Sequence, residues 1–166
     1  MIILGIDPGY AIVGCGVIDY SNNHFKVLEY CAVTTPAGLP FNRRLEIIYD
    51  DVTALIQRTK PEAMAIEKLF FNSNQKTVID VGQARGALVL AAQKCGLDIF
   101  EYTPLQVKQS VVGYGRAEKK QVQEMTRVIL GLEKIPKPDD VADALAMAIC
   151  HAHSSGSLMG KLKNYR

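Results

Sequence analysis

Three strand-like segments precede any helical pattern in this chain, and the links between them are too short for a crossover. Ile2–Asp7 is an apolar run that ends at Asp7-Pro8-Gly9, a buried strand followed by a turn. Strand character resumes over Ala11–Asp19, Asn22-Asn23 punctuates, and His24–Thr34 alternates through Phe25, Val27, Cys31 and Val33. Short links force neighbouring strands to run antiparallel, so the chain starts as a meander.

The rest alternates. Phe41, Leu45, Ile48, Val52 and Leu55 fall at helical spacing, and Lys60-Pro61 ends that helix. Ala63–Glu67 predicts a fourth strand, Val78 to Cys95 a second helix closed by Gly96, and Leu97–Tyr102 a fifth strand. Thr103-Pro104 opens a short helix to about Val112. Further helices follow around Val122–Leu132 and from Asp139 to His153. The order βββ-α-β-α-β-α-α-α predicts an α/β fold with a mixed five-stranded sheet flanked by helices. The 166 residues suit one domain, assigned to 1–153, with a basic, flexible tail at 154–166.

Composition excludes several classes. At 48% hydrophobic and 22% charged the chain is neither disordered nor fibrous. No apolar run approaches the ~20 residues of a membrane span, and the N-terminal stretch has no basic flank. A cytoplasmic location is expected. Cys15, Cys31, Cys95 and Cys150 form no C-x-x-C pair and read as reduced, mostly buried thiols. His151-x-His153 reads as part of a solvated tail rather than a metal site.

Asp7 and Glu67 close their strands. If strands one and four are parallel neighbours, both acids emerge at one sheet edge, where open α/β sheets place their sites. Asp140 and Asp143, three apart at the start of the last helix, share a face. Four converging carboxylates repel one another. Hard cations such as Mg²⁺, which take oxygen ligands, relieve that repulsion. Paired ions are a recurring solution in phosphoryl transfer. Each acid also has an ordinary role, as a turn residue, a strand end or a helix cap. Glu67 fits that role worst, because apolar sequence surrounds it. With the four acids neutralised, 19 Lys and Arg would face the remaining 13 acids of 17. The near-neutral +2 therefore hides a basic surface concentrated in the last third, a footprint for polyanions.

Gly5-Ile6-Asp7-Pro8-Gly9, Ala65-Ile66-Glu67-Lys68-Leu69-Phe70-Phe71, Gly82-Gln83-Ala84-Arg85-Gly86, Val107-Lys108-Gln109, Ala117-Glu118-Lys119-Lys120 and Asp140-Val141-Ala142-Asp143-Ala144-Leu145 occur in this order. Together they resemble the RuvC family of crossover-junction endodeoxyribonucleases, in register from residue 2 to about 153. The resemblance implies an RNase H-like fold and a homodimer that resolves Holliday junctions, four-way DNA, by paired symmetric nicks in recombination and repair. It implies Mg²⁺, two ions per site, with Mn²⁺ able to substitute, and RuvA and RuvB as branch-migration partners. It makes Asp7, Glu67, Asp140 and Asp143 the metal-binding catalytic acids. It assigns Phe70 to contacts with bases near the cut, and Lys108 and Lys119 to the DNA-binding face; Lys120, beside Lys119 at the start of a helix, is placed there by position. Lys68 and Val13 depart from residues common in the family, which have Gln and Thr there. The alternatives are a related nuclease acting on RNA, a non-catalytic junction-binding module, and half of a sugar-kinase or actin-like ATPase. The last needs a second domain and a second glycine-rich motif, which 166 residues do not hold.

Overall fold

A computed structural model describes residues 1–69 and 75–156 of the chain. β1 (Ile2–Asp7), β2 (Ile12–Ser21) and β3 (His24–Thr34) form the expected antiparallel meander. α1 (Phe41–Thr59), β4 (Ala63–Glu67), α2 (Gln75–Lys94) and β5 (Asp98–Tyr102) follow. α3 (Pro104–Val112), α4 (Lys119–Ile129) and α5 (Asp139–Ser155) complete the order read from the sequence. The sheet runs β3-β2-β1-β4-β5, with β4 parallel to both β1 and β5.

Strand parity splits the core in two. Leu4, Ile6, Met64 and Ile66 face one side and pack with Ile48, Val52 and Leu55 of α1 and Ala84 and Leu88 of α2. Ile3 and Ala65 face the other and pack with Leu145, Ala148 and Ile149 of α5 and with Val107 and Val122. The result is a three-layer α/β/α sandwich. α5 is the most enclosed helix, buried without a break from Ala144 to Ala152, as expected of a helix apolar around its whole circumference.

α5 sits unusually close to the sheet. A Cβ on Gly14 would lie 1.9 Å from the Asp140 carbonyl oxygen, and one on Gly5 would lie 2.0 Å from that of Ala144. No side chain fits between these strands and the helix backbone, so the positions require glycine for space alone. Elsewhere the caps follow local sequence. Thr103 caps α3 through a reciprocal box with Gln106, and Gly113 ends it in the left-handed region at φ 92°.

α5 runs through Ser155, two residues past the end read from the sequence, and the Ser154 and Ser155 hydroxyls donate to the Cys150 and Ala152 carbonyls. Two expectations need correction. His151 is not a solvated residue. It is 3% exposed, stacks on Phe100 with ring centroids 4.3 Å apart, and shares a 2.8 Å hydrogen bond between its Nδ1 and the Tyr102 hydroxyl. Burial pushes its pKa down to about 4, so the ring is neutral. Two residues along a helix point in different directions, and His153 instead contacts Ser110. Cys31 and Cys95 are only half-buried, while Cys15 and Cys150 are fully so.

On α1, Arg44 is 8% exposed. Its Nε donates to Thr35 Oγ1 at 2.8 Å, and that hydroxyl donates to the Tyr10 carbonyl. Its guanidinium lies 4.8 Å from the Tyr10 ring centroid. These contacts tie the turn after β1 to α1.

The close seat of α5 generates a test. Gly14→Ala forces backbone against backbone, and overpacking of this kind costs about 1–3 kcal/mol. Urea unfolding should show a midpoint lowered with little change in slope. An unchanged midpoint would mean α5 is free to retreat.

Candidate active site

Parity also sets the first two acids. Ile3 and Gly5 face α5, so Asp7, two residues on, faces it too; Ala65 does the same for Glu67. β1 and β4 pair in parallel up to Ile6 opposite Ile66, so Asp7 and Glu67 lie side by side one step beyond. On its other flank Asp7 pairs with Gly14, and Gly14 is the seat of Asp140. Register and the glycine contact thus bring the start of α5 to the end of β1.

Asp7, Glu67 and Asp143 line one pocket of about 210 Å³, with Lys108 and Lys119 on its wall and Val107 and Met147 among its apolar lining. Asp140 stands outside that lining, half-buried and close enough to act on the charge of Asp7. Burial is the largest influence on Asp7. Burial and then the charges of Asp143, Glu67 and Asp140 push its pKa from 3.8 up to about 8. Burial and then Asp143 raise Glu67 in the same sense. Asp143 is also raised by burial, against the opposing pull of Lys119. Among the described residues no three His, Cys, Asp or Glu side chains close on one point as a chelate would.

Lys119 is where the structure adds most to the sequence reading. Its Nζ lies 2.8 Å from Asp143 Oδ2 and 3.8 Å from Asp139 Oδ2. The Asp143 hydrogen bond holds the ammonium above its ordinary range. This lysine is therefore part of the acid cluster, as well as a group facing outward. Lys108 joins it on the pocket wall, whereas Lys120 is exposed and lies outside the pocket. Phe70 falls outside the described residues.

Sequence reasoning missed Arg85. It reaches from α2 to donate through Nε to the Glu67 carbonyl at 3.2 Å and pairs with Glu101 on β5. The Lys68 amide also bonds to the Tyr102 carbonyl at 2.9 Å. Both contacts fix the backbone that carries Glu67. Arg85 lies inside the quoted Gly82–Gly86 motif, but nothing in the linear sequence says which strand end it reaches.

A mixed five-stranded sheet of this order, with acids gathered where its parallel strands end, defines an RNase H-like fold. Residues 3–151 match the profile of the family described as crossover junction endodeoxyribonuclease RuvC. A protein of that name from Ruminiclostridium cellulolyticum is 61% identical over 162 residues, covering 96% of this chain and 98% of its own. The Thermus thermophilus RuvC structure aligns with TM-score 0.87 and 37% identity over 93% of this chain and 95% of its own. That of T. thermophilus RuvC in complex with Holliday junction substrate aligns with TM-score 0.88 and 34% identity, over 96% of this chain and 98% of that one. The chain belongs to the RuvC family of crossover junction endodeoxyribonucleases.

The charge arrangement has a measurable consequence for stability. A carboxyl whose folded pKa is raised favours folding most below about pH 3.8, and that advantage is lost as pH rises toward about 8. Asp7→Asn carries no such charge. Without divalent cations its melting temperature should match wild type near pH 4 and exceed it by several degrees near pH 8. A gain of 1 kcal/mol corresponds to about 2–4 °C in a chain of this size. A constant difference across that range would show that Asp7 titrates normally.

Proposed function

We propose that this chain resolves four-way DNA junctions, hydrolysing phosphodiester bonds at the site formed by Asp7, Glu67, Asp140 and Asp143. One observation carries the reading: the β1–β4 register and the seat of α5 on Gly14 gather Asp7, Glu67 and Asp143 around one pocket, with Asp140 close enough to act on the charge of Asp7. Such a cluster is unfavourable by itself and becomes favourable when positive charge enters. The donors are all oxygens, which fits a hard divalent cation, Mg²⁺ with Mn²⁺ as a substitute, rather than a soft metal. We assign the four acids as its holders, with two ions per site. Bound there, the cation supplies charge neutralisation at the scissile phosphate.

The chain's own residues prepare the rest. Arg85 and the Lys68 amide hold the Glu67 backbone, and the seat on Gly14 fixes Asp140. The apolar lining from Val107 and Met147 lowers the local dielectric, which strengthens each charge acting on a phosphate. Lys108 and Lys119, the latter paired with Asp143, would attract that phosphate. Phosphate contacts of this kind position the substrate without reading its sequence.

Paired nicks require two sites. On α2, Ile79 is 67% exposed and Leu90 53% exposed, and among the described residues nothing lies within 4 Å of a Cβ built on Gly82 or Gly86. These positions share one helix face. A second copy of this chain docking there would match the two-fold symmetry of the substrate. Family membership supports cytoplasmic action alongside RuvA and RuvB. Among the described residues no helix is long and apolar enough to cross a membrane.

The test compares a synthetic four-way junction, a matched DNA duplex and a matched RNA–DNA hybrid, each with Mg²⁺, and maps the nicks. Symmetric nicks confined to the junction are expected. Glu67→Gln should lower cleavage by a hundredfold or more, on the order of the loss seen when a charge-stabilising group is removed, yet keep junction binding. Mg²⁺ should raise the melting temperature of the wild type more than that of Glu67→Gln. Near-normal cleavage by Glu67→Gln, or equal cutting of the hybrid, would overturn the assignment.

A further inference from the structure

Two of the four cysteines stand opposite each other. β2 and β3 are antiparallel, and their register pairs Cys15 with Cys31, two steps from the irregularity between Val17 and Ile18. Residues directly opposite in such a ladder share a face, with Cα atoms about 4.5–5.5 Å apart. A disulfide spans about 4.4–6.8 Å between Cα atoms, so the backbone already provides the required separation. Both side chains lie on the α1 side of the sheet, with Cys15 inside that core and Cys31 packed at its margin.

The two thiols differ in access and in charge. Cys15 is fully buried, while Cys31, on the edge strand, is half-buried. The Glu29–Arg58 ion pair flanks Cys31, with Glu29 two residues away on the same strand. A hydrogen bond with Cys15 is the main influence that brings the Cys31 thiol down to about 7, and Arg58 assists. The same interaction raises Cys15 well above its ordinary value. One thiol is thus a ready thiolate near neutral pH, and the other waits behind it as a protonated partner. Cys150 differs: it is buried and held up at about 11, chiefly by burial.

We propose that Cys15 and Cys31 form a reversible dithiol site, oxidised by low-molecular-weight disulfides of the glutathione class. The Cys31 thiolate attacks one sulfur of the disulfide; a Cys31–S–S–R bond forms, the original S–S bond breaks, and the first R–S⁻ leaves. Cys15 then gives up its proton and attacks the Cys31 sulfur. The Cys15–Cys31 bond forms, the bond to R breaks, and the second R–S⁻ leaves. The two protons from the protein thiols end on the two released thiols. Two protein thiols are oxidised and one small disulfide is reduced to two thiols. This site lies on the sheet face opposite the acids, and its chemistry does not depend on the junction reading. It touches the active site only through the strand: Gly14 and Gly16, which seat α5, flank Cys15.

The experiment incubates the full chain with oxidised glutathione near neutral pH, blocks remaining thiols by alkylation, and measures intact mass and linked peptides. Sampled before alkylation, wild type should lose the mass of two hydrogen atoms and return to the starting mass with dithiothreitol; after alkylation its digest should yield a peptide linked through Cys15 and Cys31. Cys15→Ser should stop at a glutathione adduct on Cys31, and Cys31→Ser should give no adduct at Cys15. A Cys95→Ser variant, changed at a half-buried position, keeps the pair, should react as wild type and carries the test if Cys15→Ser prevents folding. A wild-type adduct that stays on Cys31 without closure, a link through Cys95 or Cys150, or no reaction would each overturn the proposal.

Discussion

The contact between α5 and the glycines of β1 and β2 is the constraint on which the rest of this structure depends. Helices normally pack on a sheet through side chains, about 10 Å between layers. Here the Asp140 and Ala144 carbonyls occupy the space where Gly14 and Gly5 would carry a Cβ. That approach brings the first turn of α5 down to the strand ends, which sets Asp143 on the same pocket as Asp7 and Glu67 and brings Asp140 close enough to act on the charge of Asp7. With a methyl group at Gly14 the helix would stand off and the acids would spread. Packing and chemistry are therefore one feature.

The close approach has an electrostatic cost. Burial and neighbouring negative charge raise Asp7, Glu67 and Asp143 together. Proteins commonly keep such strain at functional sites, where optimising stability would remove the function. Lys119 offsets part of it by bridging Asp143 and Asp139. Arg85, the Lys68 amide and the Arg44–Thr35–Tyr10 chain hold the surrounding backbone, and none of these groups lines the pocket.

Much of this was legible in the sequence. Short links made the meander readable, and helical spacing made the order of later elements readable. The terminal positions of Asp7 and Glu67 foretold a shared edge, and the parallel β1–β4 pairing bears that out. What stayed hidden depended on distant contacts. Lys119 reads as a base facing DNA, and its pairing with Asp143 stays hidden until α4 is packed against α5. His151, near a polar tail, reads as solvated until β5 supplies Tyr102 and Phe100. Gly14 is one glycine among others in a strand until the helix that needs its missing side chain is in place. Cys15 and Cys31, sixteen residues apart, become a pair only through strand register.

The central claim is that, without divalent cations, Asp7 is a half-buried acid crowded by its neighbours. Carbon-13 NMR of the aspartate carboxyl groups measures this directly, with Asp7→Asn used to identify the Asp7 signal. Without divalent cations the Asp7 carboxyl should titrate near 8, far from the ordinary 3.8. Saturating Mg²⁺ should move that titration down toward the acid range. An Asp7 carboxyl that titrates near 4 without metal, or one that Mg²⁺ leaves unmoved, would contradict the account.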